Sequence, residues 1–167
     1  YKSQSLMEHL QMGWSYRDPR GKDFVIAVPA QMRTGETWYR GTADAIYQNI
    51  NLIENQQPDL VAIFGADHVY RMDVRQMVDF HMKSKALVTV AAIPVPLAEA
   101  SSFGVIRVDA AARIREFQEK PKTPAGMPGR PEMALASMGN YVFDAKLLLD
   151  LLTKDASADS QHDIGKN

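Results

Sequence analysis

The sequence predicts an α/β fold: a Rossmann-like, doubly wound, mostly parallel sheet with an antiparallel hairpin insertion. The first observation is the unbroken apolar run at residues 60–64, which lies between Pro58 and Gly65. A run without alternation is typical of a strand buried on both faces, as strands of parallel sheets are. The second observation is the order of the chain, because strand-like runs alternate with stretches of helical periodicity. These strand-like runs are residues 24–28, 60–64 and 87–93.

Four stretches have the apolar spacing of amphipathic helices. The first, residues 3–12, stops at Gly13, and the second begins with Thr42 as its N-cap and extends to about residue 55. The third and fourth follow Asp73 and Asp144, which are good N-cap residues. The side chains predicted to face inward in the last three helices are Ala43, Ile46, Ile50, Ile53, Val74, Met77, Val78, His81, Ala145, Leu148, Leu149 and Leu152.

The second half of the chain has a different pattern. Residues 105–108 and 114–117 flank a turn, and the alternating polarity of the second run predicts an antiparallel hairpin. Prolines and glycines mark residues 121–131 as a mobile loop, and a last strand is predicted at 136–143. Residues 30–40 have no periodicity and are predicted to form a long loop, which in a compact domain is usually functional or disordered.

Composition excludes several classes of protein. A length of 167 residues suffices for one domain with a substantial core, and a net charge of −1 gives no electrostatic reason to expect nucleic acid or a membrane surface as a partner. Without cysteine there is no disulfide and no thiolate metal site. No apolar run approaches the roughly 20 residues that span a bilayer. Neither an HExxH helix nor a Ser/His/Asp order is present.

Asp67 is the first candidate for a functional residue. It follows the apolar run at 60–64, and ligands of open α/β sheets bind beyond the carboxyl ends of the strands. Gly65 allows a tight turn and a close approach of a ligand. Asp67 could equally end a turn, and spacing alone leaves both interpretations open.

Further polar clusters lie at predicted strand ends and loops: WYRGTAD (38–44), SFG (102–104), EKP (119–121) and SMG (137–139). Each has a plainer explanation, since aromatic residues often cover the edge of a core and Glu119-Lys120 could be a solvated ion pair. The residues by themselves therefore indicate an α/β domain with an anionic site at strand ends, and no particular reaction.

Taken in order, the motifs resemble those of the ADP-glucose pyrophosphorylase (glucose-1-phosphate adenylyltransferase) family, which has the nucleotide-diphospho-sugar transferase type of fold. The similarity extends over almost the whole chain, and the Tyr-Arg form of the WxxGTAD motif resembles the bacterial glycogen-pathway enzymes more than the plant ones. The matching segments are PAQ (29–31), GE (35–36), WYRGTADA (38–45), GADH (65–68), FGV (103–105), EF (116–117), EKP (119–121), LASMG (135–139) and SQHDIGK (160–166).

The resemblance implies a nucleotidyltransferase in which ATP and glucose 1-phosphate meet at the carboxyl edge of the sheet. A phosphate oxygen of the sugar phosphate would attack the α-phosphorus of ATP, releasing pyrophosphate and forming ADP-glucose for glycogen or starch biosynthesis. Such a transfer needs in-line positioning and neutralisation of charge rather than covalent help from the protein. The resemblance assigns Asp67 as the catalytic residue that binds Mg²⁺.

The resemblance implies roles for other residues as well. Lys120 would bind the phosphate of glucose 1-phosphate, and Tyr39, Gly104, Glu119 and Ser137 would belong to the sugar site. Gln31, Arg33 and Trp38 would lie in a regulatory loop linked to allosteric activation, where Met32 replaces the Gln that is common in the bacterial pattern. A cytoplasmic, homotetrameric full-length enzyme that binds neither nucleic acid nor membrane is expected.

The resemblance also implies that residues 1–167 are the central part of a catalytic domain. The family's glycine-rich nucleotide loop would precede Tyr1, and a second metal carboxylate and a C-terminal β-helix domain would follow Asn167, so we expect this chain alone to be inactive. Two alternatives stay open. One is a different sugar-nucleotide pyrophosphorylase that uses UTP, dTTP or GTP, and the other is a non-catalytic regulatory subunit, which would have no need of Asp67 and Lys120.

Overall fold

A computed structural model describes residues 4–13, 24–30, 38–67 and 69–165 of the chain. The chain divides into two compact units, Tyr1–Tyr39 and Arg40–Asn167.

The first unit contains one helix among its described residues, α1, Gln4–Gly13, which confirms the predicted helix at 3–12. None of its side chains is buried. The strand predicted at 24–28 is wrong, because residues 24–30 form no strand and the side chains of Phe24, Val25, Ile26 and Val28 are 41–54% exposed. An isolated apolar run has strand propensity but no ladder hydrogen bonds, and a strand needs a neighbour to become stable.

The second unit is built on a five-stranded sheet whose central strand is β5, Met133–Asp144. Strand β2, Val88–Pro96, pairs with β5 along one edge over nearly its whole length. Along the other edge β5 pairs first with β3, Gly104–Val108, and then with β1, Leu60–Ile63. Strand β4, Ile114–Glu119, pairs with β3 and forms the predicted hairpin.

The α/β class and the hairpin are confirmed, but every ladder in the described part of the sheet is antiparallel. The prediction of mostly parallel pairing fails here because β5 lies between β1 and β2. The latter two strands both run opposite to β5, so they share one direction without touching each other. Sequence order alone does not reveal that a strand from the end of the chain is inserted between two earlier ones.

Strand β1 is also less buried than its composition predicts. Its residues are half-buried and Ala62 is exposed, whereas an apolar run of this kind predicts a strand buried on both faces. Within the described ranges β1 pairs with β5 alone, so one of its edges has no neighbouring strand. An edge strand keeps an exposed side however apolar it is.

The predicted helix at 42–55 is two short helices, α2, Thr42–Tyr47, and α3, Ile50–Gln56. The N-cap of α2 is Gly41 and not Thr42, and no side chain caps this helix. Helix α3 ends at Gln56, and the left-handed backbone of Gln57, its C-cap, closes the last turn. The apolar stripe is retained, because Ala43, Ile46 and Ile53 all pack in one core cluster.

Helices α4, Val74–Ser84, and α5, Ala145–Ala156, begin as predicted. The Asp73 carboxylate accepts a hydrogen bond from the amide of Arg75 (3.1 Å), and that of Asp144 accepts one from the amide of Leu147 (2.9 Å). Of the predicted inward residues of α4, Met77 and His81 are buried, whereas Val74, in the first turn, is exposed. A 3₁₀ helix, Leu97–Ser102, joins β2 to β3.

The two long helices of this unit cover opposite faces of the sheet, which is the doubly wound arrangement. The His81 ring of α4 lies 2.9 Å from the Thr89 hydroxyl, and Thr89 is paired with Val142 on one face. Helix α5 packs on the other face, where Leu148 and Leu152 meet Phe143. Adjacent residues of a strand point to opposite faces, so Val142 and Phe143 lie on the two faces of the sheet that α4 and α5 cover.

Candidate functional site

The candidate site lies where one edge of β5 changes partner. Ile63, the last residue of β1, is opposite Tyr141, and Val105 near the start of β3 is opposite Ala136. Between these points, at residues 137–140, the edge of β5 has no partner strand among the described residues. Gly139 has φ +66°, and the register with β2 shifts there, so β5 bends at this point. Bulges of this kind are common next to active sites, because they re-aim side chains.

The open end of the hairpin brings Gly104 and Glu119 to this gap. The two residues are directly opposite in the β3–β4 ladder. A Cβ on residue 104 would lie 2.7 Å from Phe117 Cζ and 3.2 Å from Glu119 Oε2, so only glycine lets both side chains close over the strand. Gly104 is therefore a position of close packing at the first residue of β3.

Tyr141 connects the strand to two carboxylates. Its phenol is hydrogen bonded with Ser137, and it lies within electrostatic range of Asp163 and Glu119. Burial raises the pKa of Tyr141, and the negative charges of Asp163 and Glu119 raise it further, whereas the hydrogen bond with Ser137 acts in the opposite direction. We call Glu119, Ser137, Tyr141 and Asp163 the strand-end cluster.

Asp163 enters the site from a segment that follows α5. Its carboxylate accepts a hydrogen bond from the amide of Gly165 (2.9 Å), which closes a tight turn. A Cβ on residue 165 would lie 3.3 Å from the hydroxyl oxygen of Tyr141 and 3.4 Å from Asp163 Oδ1. Glycine at this position leaves the oxygen atoms of the cluster accessible.

Lys120 lies directly after β4, beside the strand-end cluster. A residue before proline normally has an extended backbone, but Lys120 has φ +45° and its amide donates a hydrogen bond to the carbonyl of Phe103 (3.1 Å). That hydrogen bond extends the hairpin by one residue, and the chain then turns. The ammonium lies 3.9 Å from Glu119 Oε1 and its side chain is 66% exposed, so it points into solvent at the edge of the site.

Asp67 lies on an exposed bend beyond β1. The loop that contains it is closed by Phe64 and Tyr70, whose rings stack with centroids 6.3 Å apart. Strand β1 ends at Ile63, which is opposite Tyr141, so the loop that follows begins beside the gap in the sheet. In the part of the chain that the structure describes, no group of three His, Cys, Asp or Glu side chains could hold a metal. A single carboxylate fits Mg²⁺, which commonly takes one or two carboxylates together with substrate phosphates.

The remaining predicted residues belong to the first unit. Tyr39 is half-buried, and Trp38 is 62% exposed, more than the edge of a core would require. Gln31 and Arg33 lie outside the described residues.

The structure thus brings together Gly104, Glu119 and Ser137, with Lys120 at the margin. Sequence reasoning missed Tyr141 and Asp163. A signal for Asp163 was present, because it lies in the SQHDIGK segment (160–166), but no strand or helix pattern there indicates which side chain faces the site. Tyr141 stands next to apolar residues in the sequence of β5, and no pattern there distinguishes it from a core residue.

Comparisons with known proteins define the class. The nucleotidyl transferase family matches residues 1–167, and the chain therefore belongs to that family. Similar proteins named glucose-1-phosphate adenylyltransferase occur in Thermodesulfovibrio yellowstonii (56% identity over 165 residues, 99% of this chain and 40% of the relative) and Thermus thermophilus (52% over 172 residues, 100% and 42%). A protein of Vibrio parahaemolyticus named glucose-1-phosphate adenylyltransferase 1 is 53% identical over 168 residues, 100% of this chain and 41% of the relative.

The chain thus spans about two fifths of the length of these curated relatives. In the described ranges no helix is long and apolar enough to cross a membrane.

Proposed function

We propose that the full-length protein forms ADP-glucose and pyrophosphate from ATP and glucose 1-phosphate, and that this chain supplies the sugar phosphate side of the site. The observation that supports this most is the strand-end cluster, two carboxylates and two hydroxyls gathered beside a gap in the sheet. The names of the relatives in three organisms point to the same reaction.

The cluster suits a sugar ring in its chemistry. Carboxylates of Glu119 and Asp163 are acceptors for sugar hydroxyls, and the hydroxyls of Ser137 and Tyr141 both donate and accept. Because burial and the two negative charges raise the pKa of Tyr141, its phenol stays protonated at neutral pH and keeps a hydrogen to donate. Carboxylates repel a phosphate, so the phosphate of the substrate is directed away from the cluster.

Lys120 supplies a positive charge at the margin of the cluster. Its present partner is Glu119 at 3.9 Å, an exposed pair of adjacent residues that holds the ammonium weakly. An incoming phosphate offers more charge than one carboxylate, so the ammonium moves to it at small cost. The sugar is then bound by the cluster while its phosphate is bound by Lys120.

Asp67 is proposed as a Mg²⁺ ligand. The ion, when bound, neutralises charge on the phosphates and polarises the α-phosphorus of ATP. The exposed bend allows Asp67 to meet a metal that arrives with the nucleotide. The reaction itself needs no proton transfer by the chain: a phosphate oxygen of the sugar forms a bond to the α-phosphorus, and the bond to the bridging α–β oxygen breaks.

Several broader properties are proposed on the resemblance alone. These are a cytoplasmic location, a homotetramer, ATP as the nucleotide, and allosteric control through the segment that contains Gln31, Arg33 and Trp38. The two alternative functions make different demands. A pyrophosphorylase for UTP, dTTP or GTP needs the same sugar cluster, whereas a regulatory subunit needs no metal ligand.

The test is product analysis with the purified full-length protein. Glucose 1-phosphate is supplied with ATP, UTP, dTTP or GTP and Mg²⁺, and each nucleotide sugar is quantified by chromatography. ADP-glucose should exceed the other products by at least tenfold, and the 167-residue chain alone should give none. A preference for another nucleotide, or no product from a folded full-length protein, rejects the proposal.

A further inference from the structure

The segment that ends in Asp163 is anchored by an interaction with the start of helix α2. The carbonyl oxygen of His162 accepts hydrogen bonds from the amides of Ala43 (2.8 Å) and Asp44 (3.4 Å). The Thr42 hydroxyl oxygen accepts one from the amide of Ile164 (3.0 Å). These three bonds lie on either side of Asp163, so they fix the backbone that carries its carboxylate.

Glycine at position 41 is part of the same contact. A Cβ there would overlap the His162 carbonyl oxygen and lie 2.7 Å from the Gln161 carbonyl oxygen. Helix α2 has no side-chain cap, so the His162 carbonyl takes the place that a capping side chain usually fills.

The His162 side chain holds the segment from the other side. It is 5% exposed, and its Nδ1 lies 2.9 Å from Asp155 Oδ2 at the end of α5. A carboxylate oxygen can only accept, so His162 Nδ1 donates to Asp155 Oδ2. The Ser160 hydroxyl donates to the other oxygen, Asp155 Oδ1 (2.7 Å). Ser160 Oγ also accepts a hydrogen bond from the His162 amide (3.1 Å). His162 has φ +52°, a conformation that a non-glycine residue adopts only where its surroundings fix it.

We propose that His162 and Thr42 are positioning residues for the sugar site: together they lock residues 162–165 between α2 and α5, and so place Asp163 beside Tyr141. The inference rests on the proposed function, because it takes the strand-end cluster as the sugar site. On this proposal, the GTAD motif (41–44) holds in place the segment that completes the strand-end cluster.

Two matched pairs of variants in the full-length protein test it. Thr42→Val removes the acceptor for the Ile164 amide at nearly equal volume, and Thr42→Ser keeps it. His162→Leu removes the Nδ1 donor, whereas His162→Asn keeps a donor near the same point and tolerates a positive φ. The readouts are steady-state kinetics for both substrates and amide hydrogen exchange of the peptide that covers residues 161–165.

Thr42→Val and His162→Leu should each speed exchange of that peptide and raise KM for glucose 1-phosphate roughly three- to tenfold, the usual effect of one lost hydrogen bond. The KM for ATP and kcat should stay within twofold, and the Ser and Asn variants should resemble the wild type. Should His162→Leu fail to fold, the Thr42 pair decides.

Faster exchange with an unchanged KM for the sugar phosphate overturns the inference, as does an equal rise of KM for both substrates, which marks a general structural role. A wild-type protein that gives no ADP-glucose is a separate result and rejects the proposed function instead.

Discussion

The backbone of Lys120 departs from the conformation that is usual for a residue before proline. The residue before a proline normally has an extended backbone, because the proline ring disfavours the helical conformation there. The hydrogen bond from its amide to Phe103 instead holds φ at +45°. Tertiary context decides the backbone here, while the predicted location of Lys120 at the end of the hairpin strand is correct.

Lys120→Gln should raise KM for glucose 1-phosphate by roughly 10- to 150-fold, with little change in kcat or in KM for ATP. The phosphate is charged in both the ground state and the transition state, so the ammonium contributes uniform binding. A hydrogen bond to a charged group contributes on the order of 1.5–3 kcal/mol, which gives this range. Lys122→Gln makes the same charge change two residues away and should have no such effect. Equal kinetics for both variants would leave Lys120 as a solvated ion pair.

Asp67→Asn should lower kcat about a thousandfold or more in the full-length protein, because losing a metal-binding carboxylate removes several kcal/mol of charge stabilisation. Thermal unfolding should be nearly unchanged, since Asp67 is exposed. Asp59→Asn, before β1, is the matched control. Near-normal kcat at saturating Mg²⁺ would make Asp67 a turn residue.

Among the secondary-structure elements, the open end of the hairpin depends on Gly104 having no side chain. Gly104→Ala would place a methyl group 2.7 Å from Phe117 Cζ and 3.2 Å from Glu119 Oε2. Both side chains must shift, so KM for glucose 1-phosphate should rise severalfold while the unfolding temperature falls by only a few degrees. Gly129→Ala introduces the same methyl group where nothing lies within 4 Å, although its positive φ adds strain, and it should leave KM unchanged. Equal KM values for the two variants would show that the Gly104 contact does not position Glu119.

The start of α2 should be sensitive to acid. Burial alone would raise the pKa of Asp44, but hydrogen bonds from the Arg40 amide and guanidinium and from Gln48 outweigh it, so the pKa is lowered. A lowered folded-state pKa gives stability that is present above the ordinary value of 3.8 and is lost as the pH falls through the lower one.

The free energy of unfolding should therefore differ more between wild type and Asp44→Asn at pH 7 than at pH 3. Denaturant titrations at the two pH values measure this, with the exposed Asp150→Asn as control. A difference that does not change with pH would mean that the Asp44 charge contributes no stability.

Elements with strong local signals were predictable from the sequence. The caps at Asp73 and Asp144 are confirmed, because a capping side chain bonds to an amide two or three residues away. The hairpin is also confirmed. The insertion of β5 between β1 and β2 was not predictable, since the paired residues lie from 37 (Pro96 with Met133) to 84 (Leu60 with Asp144) positions apart and leave no local signal in the sequence. The break of the 42–55 helix at residues 48–49 was likewise not predictable, because no proline or glycine marks it in the sequence.

At the scale of the whole molecule, the strand-end cluster depends on segments that are distant in sequence. Glu119 comes from the hairpin, Ser137 and Tyr141 from β5, and Asp163 from the segment after α5. The resemblance named the first two as sugar-site residues. Tyr141 and Asp163 became visible only when the fold brought them together, because electrostatic proximity is a property of three-dimensional structure.

The most direct test is a crystal structure of the full-length protein with glucose 1-phosphate bound. Sugar hydroxyls should lie within hydrogen-bond distance of Glu119 and Asp163, with the phosphate against Lys120 and the Lys120–Glu119 pair broken. Glucose 1-phosphate bound elsewhere, with no contact to Glu119, Ser137, Tyr141 or Asp163, would contradict this placement of the substrate.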